Sequence, residues 1–357
     1  MAQRPPLASG ETALTDPSYR PAWWIPGPHL RTLWGKFFRR RPPLAARRER
    51  WDTPDGDFVD MLRMDAPPGA PRFLLLHGLE GTPRSHYVFE ILSRARQRGW
   101  ATDLLLFRSC AGEPNRLPRS YHSGETGDLD FVVRRLIEIE PDRPLVITGV
   151  SLGGNVLLKW LGELGEQLPR QLRGAAVVSV PFDLARSARH IDRGFSRVYQ
   201  WHFLRTLRPK ALEKLQRFPD LLSTDAIAAA RSIYSFDHAV TAPLHGFESA
   251  DDYYARSSSI HFLARIRLPT LLLSAEDDPF LPPDVLDDVR RIANINPALQ
   301  VEFVKRGGHV GFIAGTIPWK PIYYAERRCV AFLADRLQRR VVSDGVASAA
   351  GSARAPV

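Results

Sequence analysis

The sequence predicts an α/β protein with a doubly wound, mostly parallel sheet and an inserted helical cap. Strand-like apolar segments alternate with helical segments over residues 72–180 and again over 269–339, a rhythm typical of parallel sheets covered by helices on both faces. Between these halves, residues 182–262 contain no strand pattern and are rich in arginine and aromatic side chains. We therefore predict a core formed by residues 46–181 and 263–340, with residues 182–262 as the cap.

The predicted elements follow in chain order. Residues 47–53 and 58–64 flank a Pro-Asp-Gly-Asp turn signal and indicate a β-hairpin. The later predicted strands are 72–76, 101–107, 145–148, 174–180, 269–275 and 301–304. The predicted helices are 85–98, 125–139, 155–161, 284–292 and 323–339. Polar motifs follow several of these strands, and ligands bind at the carboxyl ends of the strands in such sheets.

Length and cysteine content bound the class of protein. The chain has 357 residues, enough for one large α/β domain with an insertion or for two domains. Its two cysteines, Cys110 and Cys329, provide neither a disulfide framework nor metal-ligand spacing, so we expect a reducing compartment and no cofactor. No apolar run reaches the length of a membrane span, and the N-terminus lacks the apolar segment of a secretory signal. We expect the protein in the cytoplasm, with peripheral contact at the inner membrane face left open.

The formal net charge of +10 at pH 7 is carried mainly by arginine. Such an excess suits nucleic acid, an anionic membrane surface, or arginine spread over solvated faces. We favour the solvated faces and expect no nucleic-acid partner. The N-terminal region is the one place where we do not assign the positive charge simply to solvated faces.

Residues 1–45 form a predicted N-terminal arm, of which residues 1–20 are polar, Pro-rich and expected to be poorly ordered. Residues 21–41 combine aromatic side chains with a short arginine run. This combination suits a membrane interface, where rings and arginine meet headgroups and lipid phosphate, and it equally suits tryptophans that pack on the main domain. We favour packing slightly, because buried aromatic rings dominate ordinary cores. The Ala/Ser/Gly-rich residues 341–357 are a predicted disordered tail.

A tight turn between a strand and a helix carries the strongest chemical signal. Gly149-x-Ser151-x-Gly153 lies between the apolar run 145–148 and a segment with helical spacing. A serine at such a turn is held in a strained backbone conformation with its hydroxyl exposed above the sheet. A Cβ at either glycine would clash with the neighbouring strand or helix. We therefore predict that Ser151 is a nucleophile.

A serine hydroxyl needs a general base, and a carboxylate best orients that base. His309 lies in a Gly-Gly-His loop after the last predicted strand and follows the acidic candidates, which gives the order Ser, Asp, His. Asp277 and Asp278 both follow a predicted strand, and only one of two adjacent side chains is expected to reach His309. We choose Asp278, because it precedes Pro279 and is biased to an extended conformation. Asp277 is then expected to cap the loop or bind the backbone.

Two backbone amides are candidates to stabilise the oxyanion of a tetrahedral intermediate. Leu152 directly follows the nucleophile, and Leu79 lies in the loop after strand 72–76. His77 in the same loop is interpreted as a structural hydrogen-bonding residue and not as a base. The loop 121–126 either binds substrate or is locked by its own hydrogen bonds, and we favour the second because Ser, Thr, Asp and Asn most often serve caps and turns. No substrate-binding residue is assigned.

Four motifs together resemble one known family. They are His-Gly-Leu-Glu-Gly at 77–81, Gly-Val-Ser-Leu-Gly-Gly-Asn at 149–155, Asp-Asp-Pro-Phe at 277–280 and Gly-Gly-His-Val-Gly-Phe at 307–312. In this order they resemble the YheT-like branch of the α/β-hydrolase superfamily, which includes plant embryogenesis-associated proteins and animal abhydrolase-domain relatives.

Shorter matches such as Pro28-His29-Leu30-x-Thr32 extend the resemblance over roughly residues 20–335. Arg31 stands where glutamine is expected, a departure that we expect to bear on the arm and not on the triad. The resemblance implies the α/β-hydrolase fold and a serine hydrolase with a Ser151–Asp278–His309 triad. It also implies carboxylic ester substrates, such as short acyl esters or acylglycerols, and a place in lipid metabolism.

The leading hypothesis is therefore a carboxylic ester hydrolase of the esterase or lipase type. Its small-molecule substrate acylates Ser151, and the cap forms an apolar acyl pocket. Acyl transfer to an acceptor other than water would use the same triad. A second class is a non-catalytic basic protein that binds anionic lipid or nucleic acid through its Arg-rich arm and cap. We favour the enzyme, because basic charge alone does not specify a mechanism.

Overall fold

The computed structural model describes residues 19–351, with side chains through residue 338, and its centre is an eight-stranded sheet. The strands are β1 Arg47–Asp52, β2 Phe58–Met64, β3 Arg72–Leu76, β4 Ala101–Leu106, β5 Leu145–Val150, β6 Leu172–Val178, β7 Thr270–Ala275 and β8 Leu299–Val304. Their order across the sheet is β1-β2-β4-β3-β5-β6-β7-β8. Within this sheet β2 runs opposite to the other seven strands, so its pairings with β1 and β4 are antiparallel and the rest are parallel. The predicted parallel sheet with an N-terminal hairpin is confirmed.

Helices cover the sheet and form the insertion. They are α1 Pro28–Phe38, α2 Val88–Gln97, α3 Gly127–Ile139, α4 Leu152–Leu164, α5 Leu184–Ile191, α6 Arg197–Arg217, α7 Thr224–Ala229, α8 Ile233–Phe236, α9 Ala242–Leu244, α10 Ala250–Ser257, α11 Pro283–Ile295 and α12 Tyr324–Gly351. A π-helical turn, Asp237–Thr241, joins α8 to α9. Within the described residues, no helix is both long enough and apolar enough to span a bilayer.

The central strands are buried on both faces, and their successive side chains point alternately into two apolar clusters. Leu74 and Leu76 of β3 pack in one cluster with α3, α4 and α11. Phe73 and Leu75 of the same strand pack in the other cluster with α2 and α12. This alternation explains why strands with no polar face form the centre of the fold.

Two short strands after β8 were not predicted. Ile313–Ala314 (β9) and Ile322–Tyr323 (β10) pair antiparallel with each other, and strands of two residues are too short to show a period in the sequence. The last helix also runs past its predicted end at residue 339 and continues to Gly351.

The predicted poorly ordered ends are described only in part. The predicted tail, 341–357, begins within α12, and residues 352–357 lie outside the described residues. Residues 1–18 of the predicted arm likewise lie outside them.

The chain between β6 and β7 contains α5–α10 and no strand. Part of it has a small apolar core of its own, made of Leu204, Ala211, Leu215, Ile227, Ala230, Phe236 and Val240. A second cluster joins α5 to α10 through Leu184, Ala188, Ala250, Tyr253 and Tyr254. The inserted helices therefore pack against one another as well as against the sheet.

The N-terminal arm packs on the C-terminal part of the core. Ala22 and Ile25 are buried against Ile313, and the Trp24 indole N–H donates to the Gly315 carbonyl (3.0 Å). The ring of Trp24 lies edge-on to that of Trp34 at 4.9 Å. The favoured interpretation, in which the aromatic rings of the arm pack on the protein, holds for Trp24 and Trp34. Other aromatic rings of the arm remain exposed to solvent.

Asn155 on α4 connects the core loop 121–126 to the end of the inserted region. Its side-chain amide donates to the carbonyls of Ser123 and Ser257 (2.8 Å each). Its side-chain oxygen accepts from the amide of Ser259 (2.9 Å). Asn155 is fully buried, so no water can replace these three bonds.

Replacement of this side chain tests the connection. Asn155→Ala leaves two carbonyls and one amide unpaired in the interior, so we expect the free energy of unfolding in urea to fall by on the order of 3 kcal/mol. The matched control is Asn294→Ala on α11, where the side chain is exposed and the change is expected to stay within about 0.5 kcal/mol. Equal effects of the two substitutions would contradict this account of Asn155.

Candidate active site

Ser151 lies at the turn between β5 and α4 in a backbone conformation that few non-glycine residues adopt, with φ 53° and ψ −119°. The two flanking glycines allow this turn. A Cβ at Gly149 would lie 2.5 Å from the Gly153 carbonyl oxygen, and a Cβ at Gly153 would lie 2.5 Å from the His77 carbonyl oxygen. The strand and the helix are therefore packed too closely here for any larger residue, and the turn lifts the serine hydroxyl above the sheet.

The structure brings together the three predicted side chains. Ser151 Oγ lies 3.1 Å from His309 Nε2. His309 Nδ1 lies 2.8 Å from Asp278 Oδ2 and 3.1 Å from Asp278 Oδ1. A carboxylate accepts only, so Nδ1 carries the proton and Nε2 is free to accept from the serine hydroxyl. The side chain of Asp278 is fully buried, which shields this pair from water.

Asp277 and Asp278 point in different directions, as two adjacent residues should. Asp277 Oδ1 accepts from the backbone amides of Gly307 (2.6 Å) and Gly308 (2.9 Å), and Oδ2 pairs with Arg31 Nη1 at 3.2 Å. Asp277 therefore binds the backbone of the histidine loop, as expected. The expectation that Arg31 bears only on the arm is wrong, because Arg31 reaches this loop through Asp277.

Two further hydroxyl groups hold the backbone beside His309. The His309 amide donates to Thr32 Oγ1 (2.9 Å), and the same hydroxyl donates to the Pro28 carbonyl (2.9 Å). The Val310 amide donates to Ser179 Oγ (3.0 Å). The sequence reasoning missed Thr32 and Ser179. The signal for Thr32 was the Pro28-His29-Leu30-x-Thr32 motif, which had no assigned role.

The loop after β3, which contains Leu79, packs against the nucleophile: a Cβ at Gly78 would lie 3.2 Å from the Cβ of Ser151. The amides on either side of Leu79 are engaged: the Gly78 amide donates to the Tyr87 hydroxyl (2.8 Å), and the Glu80 amide donates to the Tyr121 hydroxyl (2.7 Å). For the Leu79 amide, no acceptor is found within the described residues. Leu152 is the first residue of α4, and the first amides of a helix have no partner within it. Both predicted oxyanion donors are thus available.

His77 is a structural residue of the same loop. Its Nε2 accepts from the Phe107 amide (3.2 Å), and its Nδ1 contacts the Gly78 carbonyl (2.8 Å). Burial lowers the pKa of His77 to about 4, so the ring is neutral at physiological pH. These contacts match its interpretation as a hydrogen-bonding residue.

A comparison with protein families decides the relationship. Residues 71–316 match the model of the family described as the alpha/beta hydrolase fold. The chain belongs to the α/β-hydrolase family. The predicted resemblance and the predicted fold class are both confirmed.

Curated relatives of this α/β-hydrolase cover most of its length. The Escherichia coli protein YheT, named only provisionally as an esterase, is 38% identical over 317 residues, which are 87% of this chain and 92% of YheT. Phospholipase ABHD3 of Mus musculus is 30% identical over 86% of this chain and 76% of its own. The monoacylglycerol lipase of Saccharomyces cerevisiae is 29% identical over 75% of this chain and 60% of its own.

A solved structure agrees on the fold. The Pyrococcus furiosus esterase Pf2001 superposes with a TM-score of 0.54 over 82% of this chain and 92% of its own. Its sequence identity is 14%, so this likeness concerns the fold alone.

A cavity of about 1060 Å³ opens above Ser151 and His309, between the sheet and the inserted helices. Much of its wall is apolar and comes from the cap: Leu184, Ile191, Leu207, Phe236, Val240 and Leu244. Apolar walls with a few polar groups at one end are typical of small-molecule sites. In this α/β-hydrolase Ser151 and His309 line the cavity, and charged side chains such as Glu80 and Lys210 line it as well.

The loop 121–126 is locked by internal contacts, and part of it also lines the cavity. The Ser123 amide donates to the Tyr253 hydroxyl (2.9 Å), and Glu125 Oε1 accepts from the Gly127 amide (2.9 Å). The ring of Tyr121 stacks on that of Phe107 at 5.6 Å. These bonds support the favoured structural interpretation. Within the residues whose side chains are described, no group of three or more His, Cys, Asp or Glu side chains is arranged to hold a metal ion.

Proposed function

We propose that this α/β-hydrolase cleaves carboxylic esters through an acyl-enzyme intermediate on Ser151. The observation that carries the proposal is the chain of hydrogen bonds from Asp278 through His309 to Ser151, beside a largely apolar cavity. The esterase, phospholipase and lipase names of the curated relatives agree with this reaction class.

The geometry supports the following acylation step. His309 Nε2 takes the Ser151 proton as Oγ attacks the ester carbonyl, and Asp278 stabilises the imidazolium that forms. The carbonyl oxygen becomes an oxyanion, which the amides of Leu79 and Leu152 stabilise. When the intermediate collapses, the C–O bond to the alcohol breaks and His309 returns the proton to the leaving oxygen.

Deacylation repeats these roles with water. His309 Nε2 takes a proton from a water molecule as the water oxygen attacks the acyl carbon. The second tetrahedral intermediate uses the same two amides, and its collapse restores the Ser151 hydroxyl and releases a carboxylic acid.

The cavity indicates which part of the substrate the protein recognises. Aliphatic and aromatic side chains of the cap form its wall, and apolar groups gain free energy when such a wall removes them from water. We therefore place the acyl chain among the cap side chains and the ester carbonyl at the Ser151 turn. Acyl esters and acylglycerols have this division into an apolar chain and a polar ester.

A fluorophosphonate probe tests the nucleophile, because it bonds covalently to an activated serine. We expect labelling of the wild-type protein at Ser151 and none in Ser151→Ala, with a loss of esterase kcat/KM of roughly 10⁴-fold or more. The matched control, Ser187→Ala, removes another serine hydroxyl of the cavity wall and should leave labelling intact. A folded wild-type protein that resists the probe would refute the proposal.

Substitution of the two adjacent carboxylates tests the acid. Asp278→Asn removes the group that holds His309 in the required tautomer, so we expect kcat on p-nitrophenyl esters to fall by roughly 10⁴-fold. Asp277→Asn keeps a side-chain oxygen to accept from Gly307 and Gly308, so its kcat should stay within about tenfold of wild type. The reverse order of the two effects would show that the acid is misassigned.

A further inference from the structure

Two helices far apart in sequence expose apolar side chains beside the cavity. Leu30 and Phe37 of α1 are 53% and 66% exposed, and Val198 and Trp201 of α6 are 50% and 58% exposed. Phe195, just before α6, is 52% exposed. We name these five side chains the rim patch. Phe37, Val198 and Trp201 also line the cavity, so the patch borders its opening.

Direct contacts make the rim patch one surface. Lys36 Nζ lies 3.0 Å from His202 Nε2. The His29 ring contacts the Phe195 ring, with 4.6 Å between centroids, and His29 Nδ1 lies 3.2 Å from the Tyr199 hydroxyl. The α1 and α6 parts of the patch are therefore held side by side.

The only charged side chains in the two stretches of sequence that carry the rim patch are positive. Residues 28–41 contain five Lys and Arg, residues 193–212 contain five more, and neither stretch contains Asp or Glu. Some of these cations pair with acids elsewhere in the chain. Lys36, Arg40 and Arg205 have no carboxylate partner among the described residues.

These cations crowd one another. The pKa of Lys36 is lowered by burial and then by the charge of Arg41. The pKa of His202 is lowered by burial and then by the charges of Lys36 and Arg205. An anion placed here would relieve this repulsion.

We propose that the rim patch docks on an anionic phospholipid bilayer. Exposed aliphatic and aromatic side chains enter the boundary between headgroups and acyl chains, and the surrounding Lys and Arg bind lipid phosphate. Nucleic acid would satisfy the cations but not the aliphatic side chains Leu30 and Val198. Docking turns the opening of the cavity toward the bilayer, so an acyl substrate enters from the lipid. This last step rests on the proposed function, whereas docking itself does not.

Co-sedimentation of the full chain with vesicles tests the docking. We expect binding to phosphatidylcholine vesicles that contain one third phosphatidylglycerol, weaker binding to pure phosphatidylcholine, and a steep loss with added salt. The double variant Lys36→Gln/Arg205→Gln should lower the partition coefficient on the order of tenfold. The variant Phe37→Ser/Trp201→Ser should also lower it on the order of tenfold, through loss of buried apolar area.

The controls are two exposed residues outside both the rim patch and the cavity lining. Ile295, 79% exposed at the end of α11, and Arg98, exposed after α2, supply Ile295→Ser and Arg98→Gln, which should bind as wild type does. Ser151→Ala should also bind fully, which separates docking from catalysis. Absent vesicle binding, equal losses in the control variants, or salt-sensitive binding to RNA alone would overturn the proposal.

A different set of contacts links α1 to the active site. Gly308, in the histidine loop, has φ 65°, and a Cβ there would lie 2.7 Å from the Pro28 carbonyl oxygen. A Cβ at Gly311 would lie 2.7 Å from the Arg31 carbonyl oxygen. The backbones of the loop and α1 are thus in direct contact, and the bond from the His309 amide to Thr32 Oγ1 lies between them.

We infer that Thr32 is a positioning residue for His309. The imidazole must meet both Ser151 and Asp278, and a shift of about 1 Å in such an arrangement costs roughly 10²-fold in rate. Thr32 fixes the backbone that carries the imidazole, and its hydroxyl is itself oriented by the Pro28 carbonyl. This inference rests on the proposed function.

Steady-state kinetics on a p-nitrophenyl ester test this role. Thr32→Val keeps the shape but removes the acceptor, so we expect kcat to fall tenfold to a hundredfold with KM changed less than threefold. Thr32→Ser restores the hydroxyl and should recover most of kcat. Full kcat in Thr32→Val, a rise in KM alone, or failure of Thr32→Ser to recover activity would overturn the inference. Wild-type labelling at Ser151 establishes beforehand that the proposed function holds.

Discussion

The hydrogen bond between Ser151 Oγ and His309 Nε2 joins two loops that are 158 residues apart in sequence. Each partner depends on a different part of the fold. The serine is held by the crossing of β5 and α4, where two glycines allow a backbone approach closer than any side chain permits. The histidine is held from several sides, by Asp277, by Thr32 and by the Phe280 ring stacked at 4.0 Å. A bond of this length between loops requires both supports to be rigid.

The parts of the site that the sequence predicts are those with local causes. The Ser151 turn is recognisable because a strand, two glycines and a helix meet within a few residues. The assignment of Asp278 follows from one neighbouring proline, and the structure places that carboxylate on His309. The sheet is predictable for a similar reason, since buried parallel strands are short apolar runs between turn signals.

The features of the site and fold that the sequence does not predict depend on contacts between distant segments. Thr32 meets His309 across 277 residues, and nothing in the residues around either one signals the pair. The β9–β10 pair is too short to have a periodicity. In the sequence of the inserted region, the only signal is that strand patterns are absent. That signal predicts neither the apolar core of the inserted helices nor the cavity beneath them. The cap also reaches the loop after β3, where Lys210 pairs with Glu80 at 2.9 Å, next to Leu79 in sequence.

The contact between α1 and the histidine loop has a consequence for synthesis of the chain. Translation proceeds from the N-terminus at a few residues to a few tens of residues each second, so Thr32 leaves the ribosome well before His309. The serine turn and the first half of the sheet are also made early, yet they lack both their base and the loop that carries it. A nascent polypeptide that ends before residue 309 therefore lacks the hydrogen-bonded arrangement of Ser151, His309 and Asp278. The arrangement forms only when the loop that carries His309 packs against α1, which is synthesised much earlier.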